Sequence, residues 1–294
     1  MNIFQVVPMK FMLGGLGNWY NDFELVKNAI LEADKLGYYG ALMPDHYMWG
    51  EMRAGMMTRP DSNVTMETWI TLSYLAAKTE HIHLGTMVTP VPFRPPGMLA
   101  KMTATLDILS GGRVIVGIGA GWSQTEFEGY SEWNKSKRRV EKTIEGLELI
   151  RELWTKDKVD FKGRFFKAEG AVLEPKPVQK PHPKLLFGSR GPRMLELSGT
   201  YGDIIYLPPF GGYDPAEARK IVVNAAEKAK RVDKIKFMTG AMGGQKITDI
   251  GELLKIVESA RDAGDEYYLV SLPRDETGIE TITKFAEEIF PSFG

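Results

Sequence analysis

The feature that most restricts how this chain can fold is a recurring alternation. Short apolar runs take turns with stretches whose apolar residues return at the spacing of a helix. The runs fall at 10–13, 39–43, 82–88, 114–118, 185–187, 204–207, 236–238 and 267–270. After the first, Phe23, Val26, Ile30 and Ala33 share one helical face, with Asn21 and Asp22 suited to cap it and Gly37 to end it. Further helices fit at 67–78, 95–110, 138–154, 192–198, 215–231, 250–263 and 279–289. About eight strand–helix units is the number that closes a parallel barrel. The fold class is therefore α/β, a single (β/α)8 TIM barrel over residues 1–294, with an open doubly wound sheet as the competing architecture. Two segments stand outside the alternation. Residues 51–63 form a long loop after the second strand, and residues 156–183, rich in Lys, Pro and Gly, form an extended insertion.

Charge excludes several partners. Lys plus Arg number 37 against 38 for Asp plus Glu, so the net charge of -1 offers no attraction to nucleic acid or an anionic membrane. There is no cysteine, which rules out disulfides, thiolate metal sites and a cysteine nucleophile. We expect a cytoplasmic location, with neither a signal peptide nor a membrane span.

In such barrels the chemistry sits on loops at the carboxyl ends of the strands. Four of them carry informative residues. The loop after the second strand reads Pro44-Asp45-His46-Tyr47, and it holds one of only four histidines. His46 can contact a ligand or move a proton near neutral pH; equally, it can be a surface histidine beside a turn-forming aspartate. His81, His83 and His182 are placed less clearly at a strand end, and the set lacks metal-ligand spacing. Next comes Gly85-Thr86-Met87-Val88-Thr89-Pro90, where glycine would let a flat ligand approach the backbone. The third loop, Gly117 to Trp122, alternates glycine and leaves room for a ring, but lacks the spacing of the dinucleotide fingerprint. Trp122, Thr125 and the acidic Glu126 and Glu128 follow. The fourth, Gly188-Ser189-Arg190-Gly191-Pro192-Arg193, joins hydroxyl, guanidinium and glycine at a helix start, a pattern suited to phosphate.

Taken together and in this order, these segments resemble the luciferase-like family of flavin and deazaflavin enzymes, most clearly over residues 11–207. The similarity is greatest to the branch that uses coenzyme F420. It rests on Asp45-His46, on Leu84 to Val88, on the Leu-Ser-Gly-Gly-Arg stretch from Leu109 to Arg113, and on Gly119 to Gly121. The resemblance implies a flavin-like ring over the barrel mouth and a cis peptide at Met87–Val88 backing it. It also implies His46 at the reacting atoms and the phosphate on Gly188 to Arg193. By that resemblance Asp45, Thr86, Met87, Val88, Gly119, Gly121, Trp122 and Thr125 would join Gly188, Ser189, Arg190, Gly191, Pro192 and Arg193 in holding the cofactor. A homodimer is implied as well.

Two departures bear on the substrate. The branch that oxidises a sugar phosphate has a glutamate where this chain has Trp122, and the methylene-tetrahydromethanopterin reductases have one where it has Gly14. The methionine-rich segment from Met48 to Met57, with Trp49, would line an apolar pocket or form a packed lid. The implied activity is F420-dependent oxidation or reduction of a small organic or pterin-like substrate. An FMN-dependent monooxygenase and a non-catalytic cofactor-binding protein are the alternatives.

Overall fold

The computed structural model describes residues 8–16, 23–48, 65–208, 212–240, 249–273 and 277–294. Its strands are β1 (Lys10–Gly14), β2 (Gly40–Met43), β3 (His83–Thr86), β4 (Thr89–Pro90), β5 (Val114–Gly119), β6 (Val159–Lys162), β7 (Lys167–Ala171), β8 (Lys184–Gly188), β9 (Ile204–Tyr206), β10 (Lys236–Gly240) and β11 (Asp265–Ser271). Its helices are α1 (Phe23–Leu36), α2 (Thr68–Ala76), α3 (Pro96–Leu109), α4 (Gln124–Tyr130), α5 (Ser136–Thr155), α6 (Pro192–Tyr201), α7 (Pro215–Lys228), α8 (Ile250–Asp262) and α9 (Gly278–Ile289).

Eight strands run in the order β3-β2-β1-β11-β10-β9-β8-β5, and a β3–β5 pairing closes the ring. Adjacent strands are parallel throughout. The open-sheet alternative is thereby removed. Strand alternation divides the apolar residues into two cores. Met12, Leu42, Ile115, Leu186, Ile204, Met238, Tyr267 and Leu269 fill the barrel lumen. Their neighbours, such as Phe11, Leu13, Val114, Val116, Phe187 and Tyr268, face outward to meet the helices. This explains why β5 reads as an unbroken apolar run: it is buried on both faces. α9 presents Ile282, Phe285, Ala286 and Ile289 to the outer core, where Phe285 meets Phe11 edge to face at 5.2 Å.

Three local features differ from the sequence reading. The third strand is shorter than 82–88, because a cis peptide at Met87–Val88 separates β3 from β4. The insertion contains an antiparallel hairpin, β6–β7. A short helix, α4, stands where none was foreseen. The proposed caps Asn21 and Asp22, and residues 49–57 of the methionine-rich segment, lie outside the described residues. Among the described residues no helix is long and apolar enough to cross a membrane.

Candidate active site

The carboxyl end of the barrel is shaped first by the cis bulge. β2 and β3 run in register from Gly40–His83 to Met43–Thr86, and the Met87 N–H then donates to the Met43 carbonyl at 2.8 Å. The bulge therefore lies directly beside the loop that carries Asp45 and His46. Two glycines of β5 give it room. A Cβ on Gly117 would sit 2.0 Å from the Thr86 carbonyl oxygen, and one on Gly119 would sit 2.5 Å from Val88 Cγ2. A Cβ on Gly188 would lie 3.5 Å from the other Val88 methyl. Val88, half-buried, thus stands between the carboxyl ends of β5 and β8. Gly85 is different. Its missing Cβ would strike the Ile115 carbonyl oxygen at 2.2 Å, so its role is close strand packing rather than ligand approach.

His46 is held from below. Its Nδ1 lies 2.8 Å from Oε2 of Glu126, and the other carboxylate oxygen accepts the Tyr47 N–H at 2.5 Å. Glu126 is buried on α4. The indole of Trp122 stands edge-on to the imidazole, with centroids 5.6 Å apart, and is 44% exposed at the mouth. Tyr47 is stacked on Phe93 at 5.3 Å with the Arg94 guanidinium over its ring, and burial pushes its hydroxyl up to about 12.

Asp45 requires a correction. Expected to touch the cofactor, it is 1% exposed, and its carboxylate is bound by Arg94 through both oxygens and by the Thr89 hydroxyl at 2.8 Å. A carboxylate so enclosed does not present itself to the mouth. Thr89 Oγ1, its proton given to Asp45, accepts from the Thr86 hydroxyl at 3.0 Å, and Thr86 Oγ1 accepts the Gly117 N–H. Asp45 and Thr86, both fully enclosed, therefore tie the histidine loop to the bulge and to β5. Arg94 also reaches Glu67 at 2.6 Å, whose other oxygen caps α2 at Ile70.

The remaining predicted residues are placed as follows. Gly121 carries a positive φ of 75°, and Thr125 is exposed on the first turn of α4. Gly188 and Ser189 are half-buried, while Arg190, Gly191, Pro192 and Arg193 are exposed. Gly191 caps α6 without a side-chain hydrogen bond, which leaves the helix start open to an anion. Arg193 lies over α5, 3.4 Å from the Lys137 carbonyl and 3.8 Å from Glu141. The other histidines are elsewhere. His83 begins β3 at the opposite end of the barrel, His182 is buried against Trp154, and His81 is exposed.

Two residues of this site were not singled out as partners in the sequence. Arg94 lies in a proline-rich loop with no periodicity to mark it. Glu126 had a signal: Ser123-Gln124-Thr125-Glu126 has the spacing of a capping box. Yet Ser123 makes no side-chain cap bond, and the glutamate serves the histidine loop instead.

The family model described as "Luciferase-like monooxygenase" matches residues 8–242. An F420-dependent glucose-6-phosphate dehydrogenase of Nocardia farcinica is 32% identical over 221 residues, covering 73% of this chain and 62% of that protein. An FMNH(2)-dependent dimethylsulfone monooxygenase of Pseudomonas putida is 31% identical over 136 residues, covering 46% of this chain and 37% of its own. Less than two thirds of either relative's length is matched. Among solved structures, an F420-dependent secondary alcohol dehydrogenase in complex with an F420-acetone adduct superposes with a TM-score of 0.82 at 20% identity, covering 98% of this chain and 99% of its own. That likeness is one of fold.

Proposed function

The chain belongs to the luciferase-like monooxygenase family, and from that premise we propose that it is a coenzyme F420-dependent oxidoreductase acting on a small organic or pterin-like substrate. The observation that carries this reading is His46, an imidazole at the carboxyl end of β2 whose inner nitrogen is engaged by a buried carboxylate. The residues at the mouth fit a flat ring with an anionic tail. Gly117 and Gly119 admit the bulge into the lumen, Val88 offers an apolar face, and the open start of α6 with Ser189, Arg190 and Arg193 offers donors and charge. When bound, the deazaflavin supplies reversible two-electron exchange with the substrate.

The protein's own part is to orient and to manage a proton. Met87 and Val88 would back the ring, and the Gly188 to Arg193 loop would hold the phosphate end. His46 takes the proton of a substrate hydroxyl, or returns it to a carbonyl in the reverse direction. Trp122, standing where the sugar-phosphate branch has a glutamate, gives this mouth an apolar wall beside His46, which favours a substrate less polar than a sugar phosphate.

The F420-dependent relative supports the deazaflavin, and the FMNH(2)-dependent relative supports FMN as the second reading. Titration of the protein with both cofactors, read by their distinct absorbance, separates them; tighter binding of FMN would replace the F420 reading. His46→Ala is expected to bind cofactor within about twofold of the wild type. Its turnover should fall by roughly 100- to 10,000-fold, the usual worth of a general base. Near-wild-type turnover would remove His46 from the chemistry. No turnover by the wild type across alcohols, aldehydes and pterins, with cofactor bound, would instead favour a binding protein.

A further inference from the structure

We propose that Glu126 is the positioning residue that fixes His46 in a single tautomer, with the proton on Nδ1 and the Nε2 lone pair left as acceptor. This rests on the reading of His46 as the group that handles the substrate proton, but its physical content is independent of turnover.

Glu126 lies on α4 with only 1% of its surface exposed, and its two oxygens divide between two consecutive residues of the β2 loop. One accepts the Tyr47 N–H at 2.5 Å, and the other faces His46 Nδ1 at 2.8 Å. An ionised carboxylate only accepts hydrogen bonds. The ring nitrogen that faces it must therefore carry the proton. A neutral imidazole has one N–H, so Nε2 is left with its lone pair. Because the same carboxylate also binds the backbone of Tyr47, the ring and the loop that carries it are held as one unit. The Trp122 indole stands edge-on to the same imidazole, with centroids 5.6 Å apart.

The position of Glu126 in its helix supports a dedicated role. At the third position after Ser123 it could accept a place in a capping box, yet no side-chain cap bond forms there. Its hydrogen-bonding capacity goes across the structure to residues about eighty positions earlier in the chain.

An amide is the sharpest probe. In Glu126→Gln the side chain keeps its shape but has one acceptor oxygen and one donor NH2. If the oxygen stays on the Tyr47 N–H, which offers no alternative polarity, the NH2 must point at Nδ1. Nδ1 then becomes the acceptor, the proton moves to Nε2, and the ring no longer offers a lone pair to the substrate. A wrong tautomer in unchanged geometry lowers turnover by roughly 10,000-fold in the Ser-His-Asp case.

The test is a long-range 1H–15N spectrum of the full-length protein labelled at histidine, in mildly alkaline buffer. With four histidines in the chain, the His46 signals are assigned by their loss in His46→Gln. The wild type is expected to show Nδ1 protonated and Nε2 unprotonated. Glu126→Gln should show the reverse, bind cofactor within about twofold of the wild type, and lose turnover by at least about a thousandfold. A wild-type His46 with its proton on Nε2 would overturn the inference, as would an unchanged tautomer in folded Glu126→Gln. Inversion of the tautomer with undiminished turnover would uphold the positioning by Glu126. It would instead end the assignment of His46 as proton acceptor.

Discussion

Arg94 grips Asp45 with both arms, Nη1 to Oδ2 at 2.7 Å and Nη2 to Oδ1 at 2.9 Å, in a place where neither side chain is more than 7% exposed. The pair joins the loop after β2 to the segment that leads into α3, and Thr89 extends it to the bulge. Two consecutive residues thus divide the labour: Asp45 faces inward to fix the loop, and His46 stands beside Trp122.

Removing one partner of such a pair leaves a buried charge without its main counterpart. Asp45→Ala is expected to lower unfolding stability by roughly 3–5 kcal/mol. The combination of Asp45→Leu with Arg94→Met should cost less than the sum of its parts, since no charge is left uncompensated. Urea denaturation of the single and double variants measures both. A single substitution costing under about 1 kcal/mol would show that solvent or Glu67 compensates the guanidinium.

The barrel itself was legible in the sequence because its cause is local. Each strand is a short apolar run and each helix repeats an apolar stripe, so the eightfold alternation survives even where individual boundaries shift. The mouth was legible in part. His46 and the Gly188 to Arg193 loop stand at strand ends, where chemistry is expected. The Asp45–Arg94 and His46–Glu126 pairs were not legible, since they join residues 49 and 80 positions apart through the closure of the barrel. The resemblance placed Asp45 among the cofactor contacts, whereas its carboxylate is enclosed by Arg94 and Thr89, partners that no local pattern marks.

The phosphate loop gives a binding prediction. Arg193 now leans toward Glu141, 3.8 Å away, and is 45% exposed, a loose contact that an anion at the start of α6 can displace. Arg193→Ala should weaken cofactor binding by roughly 1.5–3 kcal/mol, about ten- to a hundredfold. The loss should shrink as salt is raised. An unchanged dissociation constant at moderate salt would place the phosphate elsewhere.

His83 supplies a pH prediction at the other end of the barrel. Its ring is stacked on Tyr39 at 4.3 Å, and burial, reinforced by Lys184, lowers its pKa from 6.5 to about 4. The folded protein therefore resists protonation that the unfolded chain accepts. Stability from this group is intact above pH 6.5 and declines as the pH falls toward 4, by up to about 3 kcal/mol. The difference in unfolding free energy between wild type and His83→Gln isolates the effect from that of the carboxylates. A difference that does not change between these pH values would mean that His83 titrates normally.

The last prediction concerns assembly. α2 is apolar on both faces. Trp69, Leu72 and Leu75 enter the core, while Ile70 and Tyr74, four residues apart, are exposed on the outer side, as is Met66 just before the helix. Ile70 is 68% exposed. α3 packs beside α2 and adds Met98 and Leu109, the latter 70% exposed. Lys101 is the charged residue on the outer side of α3 between them. A helix pair with apolar residues outside as well as inside is suited to cover by a matching surface. A second copy brings the same apolar residues and can form an isologous contact with them. We therefore expect a homodimer built on α2 and α3. Sedimentation velocity at micromolar concentration should report twice the monomer mass for the wild type. Ile70→Lys combined with Leu109→Lys, both at exposed positions, should give a folded monomer with an unchanged circular dichroism spectrum. A wild-type monomer at that concentration would refute the assembly. A dimer that survives both lysines would move the interface to another face.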